Sequence, residues 1–165
     1  LAGRGPKMLD LGGAVADGVL LDFIHKPSLG TYVERIRRGS ERTGNQPEIC
    51  YSTMIVTDER SLEAVRPHMT YRLVDSPPDV REALGIEDAD VVAIRSAMAD
   101  GLEAAARLVP DEWVLPFVVS GTVEECSIEL GQLIETHGIS EFKIPVYDVD
   151  NGCELLEVTA QVMEQ

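Results

Sequence analysis

The residues best suited to chemistry form a glycine-rich turn near the start of the chain, Gly3-Arg4-Gly5-Pro6-Lys7. Gly3 and Gly5 let the backbone come close to a partner, and Pro6 suits the first position of a helix. A helix that begins there presents free N–H groups and a positive dipole end to a phosphate or carboxylate, and Arg4 and Lys7 add positive charge. A tight strand–helix turn without a ligand explains the same residues equally well, because the dinucleotide glycine fingerprint is incomplete.

Few other side chains are candidates for chemistry. His25 lies on a loop after a strand, a place that functional histidines favour, although lone loop histidines are more often solvated. Asp22 ends that strand, but no partner is identifiable in the sequence, so we assign it no acid–base role. His68 and His137 fall in helices and are expected at the surface or its boundary. For Tyr147 and the adjacent Asp148, a substrate contact and a strand-ending turn are both consistent with the sequence.

The sequence offers no familiar catalytic or metal motif. It contains no nucleophile elbow, Walker loop or His-Glu-x-x-His motif. Cys50, Cys126 and Cys153 are widely spaced in apolar contexts, which predicts buried free thiols and not a disulfide or a metal centre. We therefore name no catalytic residue and no metal site.

The composition restricts the partners. Among 165 residues, 29 acidic and 14 basic side chains give a formal charge of -15, which argues against nucleic acid and against an anionic membrane surface. No apolar run approaches the roughly 20 residues of a membrane span, and no signal peptide is visible, so we expect a cytoplasmic protein that acts on a small molecule. The length predicts a single domain. Because Leu1 is not Met and falls within a predicted strand, we expect a longer parent protein.

Alternating strands and helices are predicted to position the glycine-rich turn. A strand around Leu1 leads into a helix from Pro6, whose apolar face is predicted to contain Met8, Leu11 and Val15, with Gly12 and Gly13 leaving that face thin enough to lie close against a sheet. A parallel α/β arrangement follows from the next elements. These are a strand at Val19–Phe23, a helix over Leu29–Arg42, a strand at Ile49–Val56, a helix from Thr57 or Asp58 to Leu73, a helix after the Thr122–Glu125 capping box, a strand at Phe142–Tyr147 and a last helix capped by Asn151 and Glu154.

The region between residues 75 and 110 does not follow this alternation. A short helix over Val80–Leu84 is predicted to end at Gly85, and a longer one to cover Asp88–Leu108. We expect a helical insertion here. A short helical turn at Pro110–Trp113 and a brief extended run at Phe117–Val119 complete this part of the chain.

Two segments together resemble the luciferase-like superfamily of flavin- and deazaflavin-dependent oxidoreductases, whose members fold as (β/α)8 barrels. The first is Ala2-Gly3-Arg4-Gly5-Pro6-Lys7-Met8-Leu9 with Ala16-Asp17-Gly18-Val19-Leu20-Leu21. The second is Ser120-Gly121-Thr122-Val123-Glu124-Glu125 with Gly138-Ile139-Ser140-Glu141-Phe142. They resemble the fifth and sixth strands, and the last helix before the eighth strand, of the family's barrel. The first segment is most similar to the deazaflavin branch, in particular to methylenetetrahydromethanopterin reductases.

That resemblance implies a coenzyme and a site. The coenzyme would be an 8-hydroxy-5-deazaflavin, or alternatively FMN in a monooxygenase. Gly3, Arg4, Gly5 and Pro6 would contact it, and Lys26 is a weaker candidate for an anionic group of coenzyme or substrate. The implied reaction is hydride transfer between the reduced deazaflavin and a substrate such as methylene-tetrahydromethanopterin, a chemistry that the coenzyme supplies.

The chain departs from the family in length. Against the eight strands of a complete barrel we predict only four, around Leu1, Val19, Ile49 and Phe142. The fold class expected is therefore α/β, the C-terminal half of a TIM barrel, with residues 1–165 forming one partial barrel domain. Open sheet edges further suggest a homo-oligomer or part of a longer chain, and a non-catalytic half-barrel that needs a partner chain is the alternative from another class.

Overall fold

The computed structural model describes residues 1–147, 149–150 and 152–164. The strands are β1 (Gly18–Asp22), β2 (Glu48–Ser52), β3 (Ile55–Val56), β4 (Val119–Ser120) and β5 (Glu141–Lys143). The α-helices are α1 (Pro6–Val15), α2 (Leu29–Thr43), α3 (Glu59–Val74), α4 (Pro78–Leu84), α5 (Asp88–Ala97), α6 (Leu102–Ala106), α7 (Asp111–Val114), α8 (Val123–His137) and α9 (Gly152–Glu164). The predictions for Asp148 and Asn151 fall on residues outside the described ranges.

Parallel pairing joins the predicted strands in the order in which they occur along the chain. β1 lies beside β2 and β2 beside β5, with Leu20 opposite Cys50 and Cys50 opposite Glu141. On the other side of β1, Ala2 forms a parallel bridge to Leu20, whose N–H donates to the Leu1 carbonyl at 2.7 Å. Parallel neighbours linked by helices are the unit of an α/β barrel. The predicted fold class is confirmed.

The main sheet buries one face under helices. Val19 and Leu21 of β1 and Tyr51 of β2 have no exposed surface, because they pack with Val33 and Ile36 of α2. Since side chains alternate along a strand, Leu20, Cys50 and Glu141 point to the opposite face, followed by Asp22, Ser52 and Lys143 in the next row. That face carries charge at β5, where Glu141 and Lys143 lie 3.5 Å apart and both are exposed.

The buried face of α1 differs from the prediction. Met8, Leu11 and Val15 are 43%, 47% and 68% exposed, whereas Leu9 and the glycines of this helix are buried. The inward position predicted for the three large side chains is wrong, whereas the close approach of Gly12 to the sheet is as predicted. Gly12 touches Val19 of β1, and Gly13 faces the backbone of α2.

The helical region between β3 and β4 is more segmented than expected. The predicted long helix over Asp88–Leu108 is wrong. It is divided into α5, a 3₁₀ turn at Met98–Asp100 and α6, with the break at Gly101, whose φ is 109°. This angle lies outside the helical region, so the helix cannot continue through Gly101, and glycine is the residue that adopts it without strain. A separate core fills this region, built around Val65, Met69 and Ile94.

The strand predicted over Ile49–Val56 is also divided. β2 ends at Ser52, and β3 pairs with β4 in a two-stranded parallel ladder with Ile55 opposite Val119. Thr53 marks the division, because its hydroxyl donates to the Phe117 carbonyl at 2.6 Å. The brief extended run predicted at Phe117–Val119 thus leads into β4, where the chain pairs with β3. The last strand is shorter than predicted and ends at Lys143.

The predicted helix ends agree closely with the structure. Pro6 is the first residue of α1, and Asp58 caps α3 by accepting from the Ser61 N–H at 2.7 Å. Thr122 and Glu125 form the predicted reciprocal capping box of α8, which ends at Gly138 with φ 65°. The cysteine prediction is wrong in one case, since Cys50 and Cys126 are buried but Cys153 is exposed. None of the described helices is long and apolar enough to span a membrane.

Candidate functional site

The carboxyl ends of the parallel strands bring four loops to one edge of the main sheet. These loops follow the Ala2 bridge, β1, β2 and β5. In parallel α/β sheets this edge is where ligands bind, because the loops there vary without disturbing the core. All residues singled out in the sequence as coenzyme contacts lie on the first two of these loops.

The Gly3–Lys7 turn forms an open backbone corner at the start of α1. Gly5 precedes the helix in an extended conformation with φ -76° and ψ 144°, and no side chain caps it. Its carbonyl accepts from both Met8 N and Leu9 N at 3.0 Å, which closes the first turn. In the described part of the chain no hydrogen bond occupies the N–H of Arg4 or Gly5. A β-carbon at Gly5 would meet nothing within 4 Å.

Charged and aromatic groups of neighbouring elements lie close to this corner. Burial raises the pKa of the Tyr32 hydroxyl on α2, Asp79 raises it further, and Arg4 opposes both. Asp79, on α4, also acts on His25. The helical region therefore contributes a carboxylate near the two loops, which the sequence alone did not indicate.

Arg72 is the residue at this edge that sequence analysis missed. Its guanidinium forms an ion pair with Asp22 at the end of β1 and donates to the Asp22 carbonyl at 3.2 Å. It also lies 5.0 Å from the ring centroid of Phe23 and 5.3 Å from that of Tyr71. Its side chain is only 12% exposed, and its Nε has no hydrogen-bond partner among the described residues. No sequence signal links Asp22 to a residue fifty positions away.

The backbone after β1 is constrained where Arg72 contacts it. Phe23 has φ 47°, the only positive φ of a described residue other than glycine. Such a conformation is costly for a bulky side chain and persists only where the surroundings hold it. Here the Phe23 N–H donates to the Ser52 carbonyl at 2.8 Å, the ring is buried, and the Arg72 guanidinium lies against it.

His25 is buried, contrary to the solvated alternative. It is 8% exposed, its Nδ1 lies 2.8 Å from the Ser28 hydroxyl, and its ring centroid is 5.6 Å from that of Phe117. Burial lowers the pKa of His25, Asp79 partly opposes this, and the Lys26 charge lowers it further. The neutral imidazole is therefore favoured at neutral pH.

Lys26 is held by a carboxylate of α8. Its Nζ lies 2.5 Å from Glu129 Oε1, with the two side chains 15% and 33% exposed. The other oxygen of Glu129 accepts from the Ser120 N–H at 3.3 Å. The ammonium thus joins the loop after β1 to α8 and to the end of β4. Its predicted contact with an anionic ligand stays a prediction.

The edge combines N–H donors, positive charge and aromatic rings, and the loop after β1 also holds a hydrogen-bonded imidazole and hydroxyl, His25 Nδ1 and Ser28 Oγ, 2.8 Å apart. The Gly3–Pro6 corner offers N–H donors beside a positive side chain, and the partly exposed Tyr32 and Tyr71 offer aromatic surface, whereas the Phe23 ring is buried. No group of three or more potential metal ligands occurs among the described residues.

Comparison with known proteins gives a family and a fold. A sequence profile described as luciferase-like monooxygenase matches residues 1–141. The 5,10-methylenetetrahydromethanopterin reductase of Methanolobus tindarius is 27% identical over 143 residues, which cover 82% of this chain and 44% of that protein. The enzyme of the same name from Archaeoglobus fulgidus is 28% identical over 144 residues, covering 81% and 43%.

Two solved structures resemble the chain over nearly its whole length. The coenzyme F420 dependent tetrahydromethanopterin reductase of Methanopyrus kandleri superposes with a TM-score of 0.76 at 22% identity, covering 94% of this chain and 47% of that one. An F420-dependent secondary alcohol dehydrogenase, solved with an F420–acetone adduct, gives a TM-score of 0.62 at 18% identity, covering 98% and 47%. The chain spans less than half the length of each of these four proteins.

Proposed function

Since the chain belongs to the luciferase-like monooxygenase family, we propose that it forms the coenzyme-binding part of an oxidoreductase. The coenzyme is a reduced 8-hydroxy-5-deazaflavin, and the reaction passes hydride between it and an organic substrate such as methylene-tetrahydromethanopterin. The observation that carries the proposal is the open backbone corner at Gly3–Pro6. It lies at the carboxyl edge of a parallel sheet, in a chain that is similar to 5,10-methylenetetrahydromethanopterin reductases.

The residues of the corner fit the phosphate-bearing part of such a coenzyme. An anion is attracted to the start of a helix by the dipole and by N–H groups that no other residue uses. The open space beside Gly5 gives access to those groups, and Arg4 supplies a full positive charge next to them. Pro6 fixes the first turn without removing a donor that the helix needs. Lys26 remains a second candidate contact.

The chain's own part in the reaction is to position the coenzyme. The coenzyme, when bound, supplies the hydride donor or acceptor. Phe23, held in its constrained conformation by Arg72, and the buried His25 give the loop after β1 a fixed shape. A fixed loop holds a ring at the distance that hydride transfer requires and lowers the entropy cost of the step.

Fluorescence titration of coenzyme F420 tests the proposal with two variants of the corner. Gly5→Val fills the open space beside the backbone, and Arg4→Gln removes the positive charge. We expect each to weaken coenzyme binding by about tenfold or more, the scale of one lost charge-assisted hydrogen bond. Thermal unfolding should be unchanged by Arg4→Gln, since none of the hydrogen bonds described for the chain involves its side chain.

Matched controls separate the corner from general effects. Gly131→Val changes a helical glycine that also has open space, and Arg107→Gln removes a positive charge from the surface of the helical region. Both controls should bind coenzyme as the unmodified chain does. Unchanged binding by Gly5→Val and Arg4→Gln contradicts the proposed site. Tight binding of FMN in place of F420 supports the alternative, an FMN-dependent luciferase-like monooxygenase.

A second candidate function follows from the open face of the sheet. Glu48, Glu141 and Lys143 are exposed on the face that a complete barrel would enclose. This feature and the partial coverage of the relatives support a half-barrel that needs a partner chain or a second copy. Light scattering distinguishes the two cases. A mass of twice the chain, 36 kDa for a chain of 18.0 kDa, supports self-association.

A further inference from the structure

A cleft of about 340 Å³ lies beside the strand-end loops, between α3 and α9. Apolar side chains from β3, α3 and α9 line it together with polar side chains from α3, α6 and α9. The residues that line it are Met54, Ile55, Thr57, Asp58, Arg60, Ser61, Ala64, His68, Glu103, Tyr147, Glu154, Leu155 and Val158. The volume suits one small ring system, near the lower limit of ligand pockets in proteins.

A pair of stacked rings forms one wall of the cleft. The rings of His68 and Tyr147 are 3.6 Å apart and inclined by only 12°. Tyr147 is 43% exposed and lines the cleft, whereas one face of its ring is covered by His68. Burial lowers the pKa of His68, and the wall is therefore an uncharged aromatic surface at neutral pH. Such a surface favours a flat ring stacked against it.

Among the described residues, the charged side chains that line the cleft have a partner, with one exception. Arg60 and Glu154 form an ion pair at 3.2 Å, and Asp58 accepts hydrogen bonds from Ser61 at the start of α3. Glu103, on α6, has no ion pair or hydrogen bond among the described residues. It lies near His68, whose pKa it raises against the effect of burial. A carboxylate beside an aromatic wall is an acceptor for a ligand that carries N–H donors at its ring edge.

The cleft also adjoins the coenzyme edge described above. Tyr147 follows β5, and its pKa responds to Tyr71, Arg72 and Asp22, so these side chains lie close to its hydroxyl. Arg72 in turn contacts Phe23 on the loop after β1. A ligand stacked on Tyr147 would lie one side chain away from the loop that holds the coenzyme.

We propose that this cleft binds the 2-amino-4-oxopyrimidine edge of a reduced pterin, with the ring on Tyr147 and the N–H edge on Glu103. Two adjacent N–H donors of that edge match the two oxygens of a carboxylate, as in a bidentate guanidinium pair. The apolar side chains of Leu155 and Val158, which also line the cleft, contact the rest of the ring. The substrate class in this inference rests on the proposed function. What the cleft adds is the residues that bind the substrate, Glu103 and Tyr147. Guanine shares this edge, and the experiment separates the two sources.

Isothermal titration under anaerobic conditions tests the cleft with 5,6,7,8-tetrahydropterin and, separately, with guanosine. We expect Glu103→Gln to weaken tetrahydropterin binding about 10- to 100-fold, the range for a hydrogen bond to a charged group. Tyr147→Leu should weaken it as well, whereas Tyr147→Phe retains the ring and should bind as the unmodified chain does. Glu135→Gln removes an equal charge from the exposed surface of α8, outside the cleft, and should have no effect.

Coenzyme F420 binding, measured on the same variants, separates failure of this inference from failure of the proposed function. Weaker tetrahydropterin binding with unchanged F420 binding supports the cleft. Equal tetrahydropterin affinity of Glu103→Gln and the unmodified chain overturns it, as does the absence of binding by the unmodified chain or tighter binding of guanosine. Loss of F420 binding by Gly5→Val and Arg4→Gln is expected whatever the result in the cleft.

Discussion

Gly13 on α1 and Gly39 on α2 bring the two helices into backbone contact. A β-carbon at Gly13 would lie 1.9 Å from the Ile36 carbonyl oxygen, and one at Gly39 would lie 2.0 Å from that of Asp10. We expect Gly39→Ala to lower the free energy of unfolding by about 3 kcal/mol, because neither carbonyl can move away as a flexible side chain would. Urea denaturation measures the effect.

The control for this prediction is Gly131→Ala on α8. A β-carbon there meets nothing within 4 Å, so alanine should raise the stability by up to about 1 kcal/mol through its higher helix propensity. Equal effects of the two substitutions would show that the helix contact is looser than described.

The Asp22–Arg72 pair is expected to couple strongly. Its side chains are 30% and 12% exposed, and the pair also holds Phe23. A double-mutant cycle with Asp22→Asn and Arg72→Met should give a coupling free energy above about 1 kcal/mol. The same cycle on Asp75 and Arg95, whose side chains are 57% and 58% exposed at 3.0 Å, should give at most about 0.5 kcal/mol. A coupling no larger than that of the exposed pair contradicts the role given to Arg72.

Exchange of the charges of Lys26 and Glu129 separates a structural role of Lys26 from a ligand contact. Lys26→Glu alone should destabilise the chain by about 1–3 kcal/mol, because it places two carboxylates together. Combination with Glu129→Lys should recover only part of that stability, because the Ser120 N–H loses the carboxylate oxygen to which it donates. If Lys26 contacts an anionic group, as the family resemblance implies, the exchanged chain will fold but bind coenzyme F420 more weakly. Full recovery of binding limits Lys26 to the structural role.

His25 gives the stability a pH dependence of known sign. Its pKa in the folded chain is lower than the usual 6.5, so below about pH 6.5 the unfolded chain binds more protons and stability falls. Above that pH His25 is neutral in both the folded and the unfolded chain, so its protonation no longer changes the stability. We expect His25→Gln to reduce the loss of unfolding free energy between pH 7.5 and pH 5.5, as measured by urea denaturation at both values. Asp58 and Glu125, whose pKa values are lowered by their capping bonds, act below this window.

An unchanged pH dependence in His25→Gln would mean that the imidazole reaches solvent. His68 and His137 have pKa values lowered mainly by burial as well, and their Gln variants measure the share of each. The sign is the same for all three histidines.

Local signals in the sequence were sufficient for much of the fold. Pro6, Asp58, Thr122 and Gly138 predicted the ends of three helices, because capping depends on residues within one turn. The four parallel strands followed from short apolar runs between helices. For α1 the close approach at Gly12 was predicted, but the contact of Gly13 with α2 was not, since it depends on a helix that begins many residues later.

The candidate site was only partly accessible from the sequence. The glycine-rich turn has a local pattern, and its place at the start of α1 is as predicted. Tyr147 was a candidate from its place after the last predicted strand, but Arg72 and Glu103 have no local pattern, because their positions depend on how the helical region folds. Asp22 is an example, because Arg72, with which it forms an ion pair, lies in α3, fifty positions further along the chain.

The order of the strands also has a consequence for the kinetics of folding. Leu20 pairs with Cys50, whereas Cys50 pairs with Glu141 across a chain segment roughly three times as long. Closing the longer segment costs about 1 kcal/mol more in chain entropy, apart from what its own helices recover. We expect β1 and β2 to acquire amide protection before β5 in pulsed hydrogen exchange. Until then β2 has an unpaired edge, which makes early intermediates of this chain prone to associate through that strand.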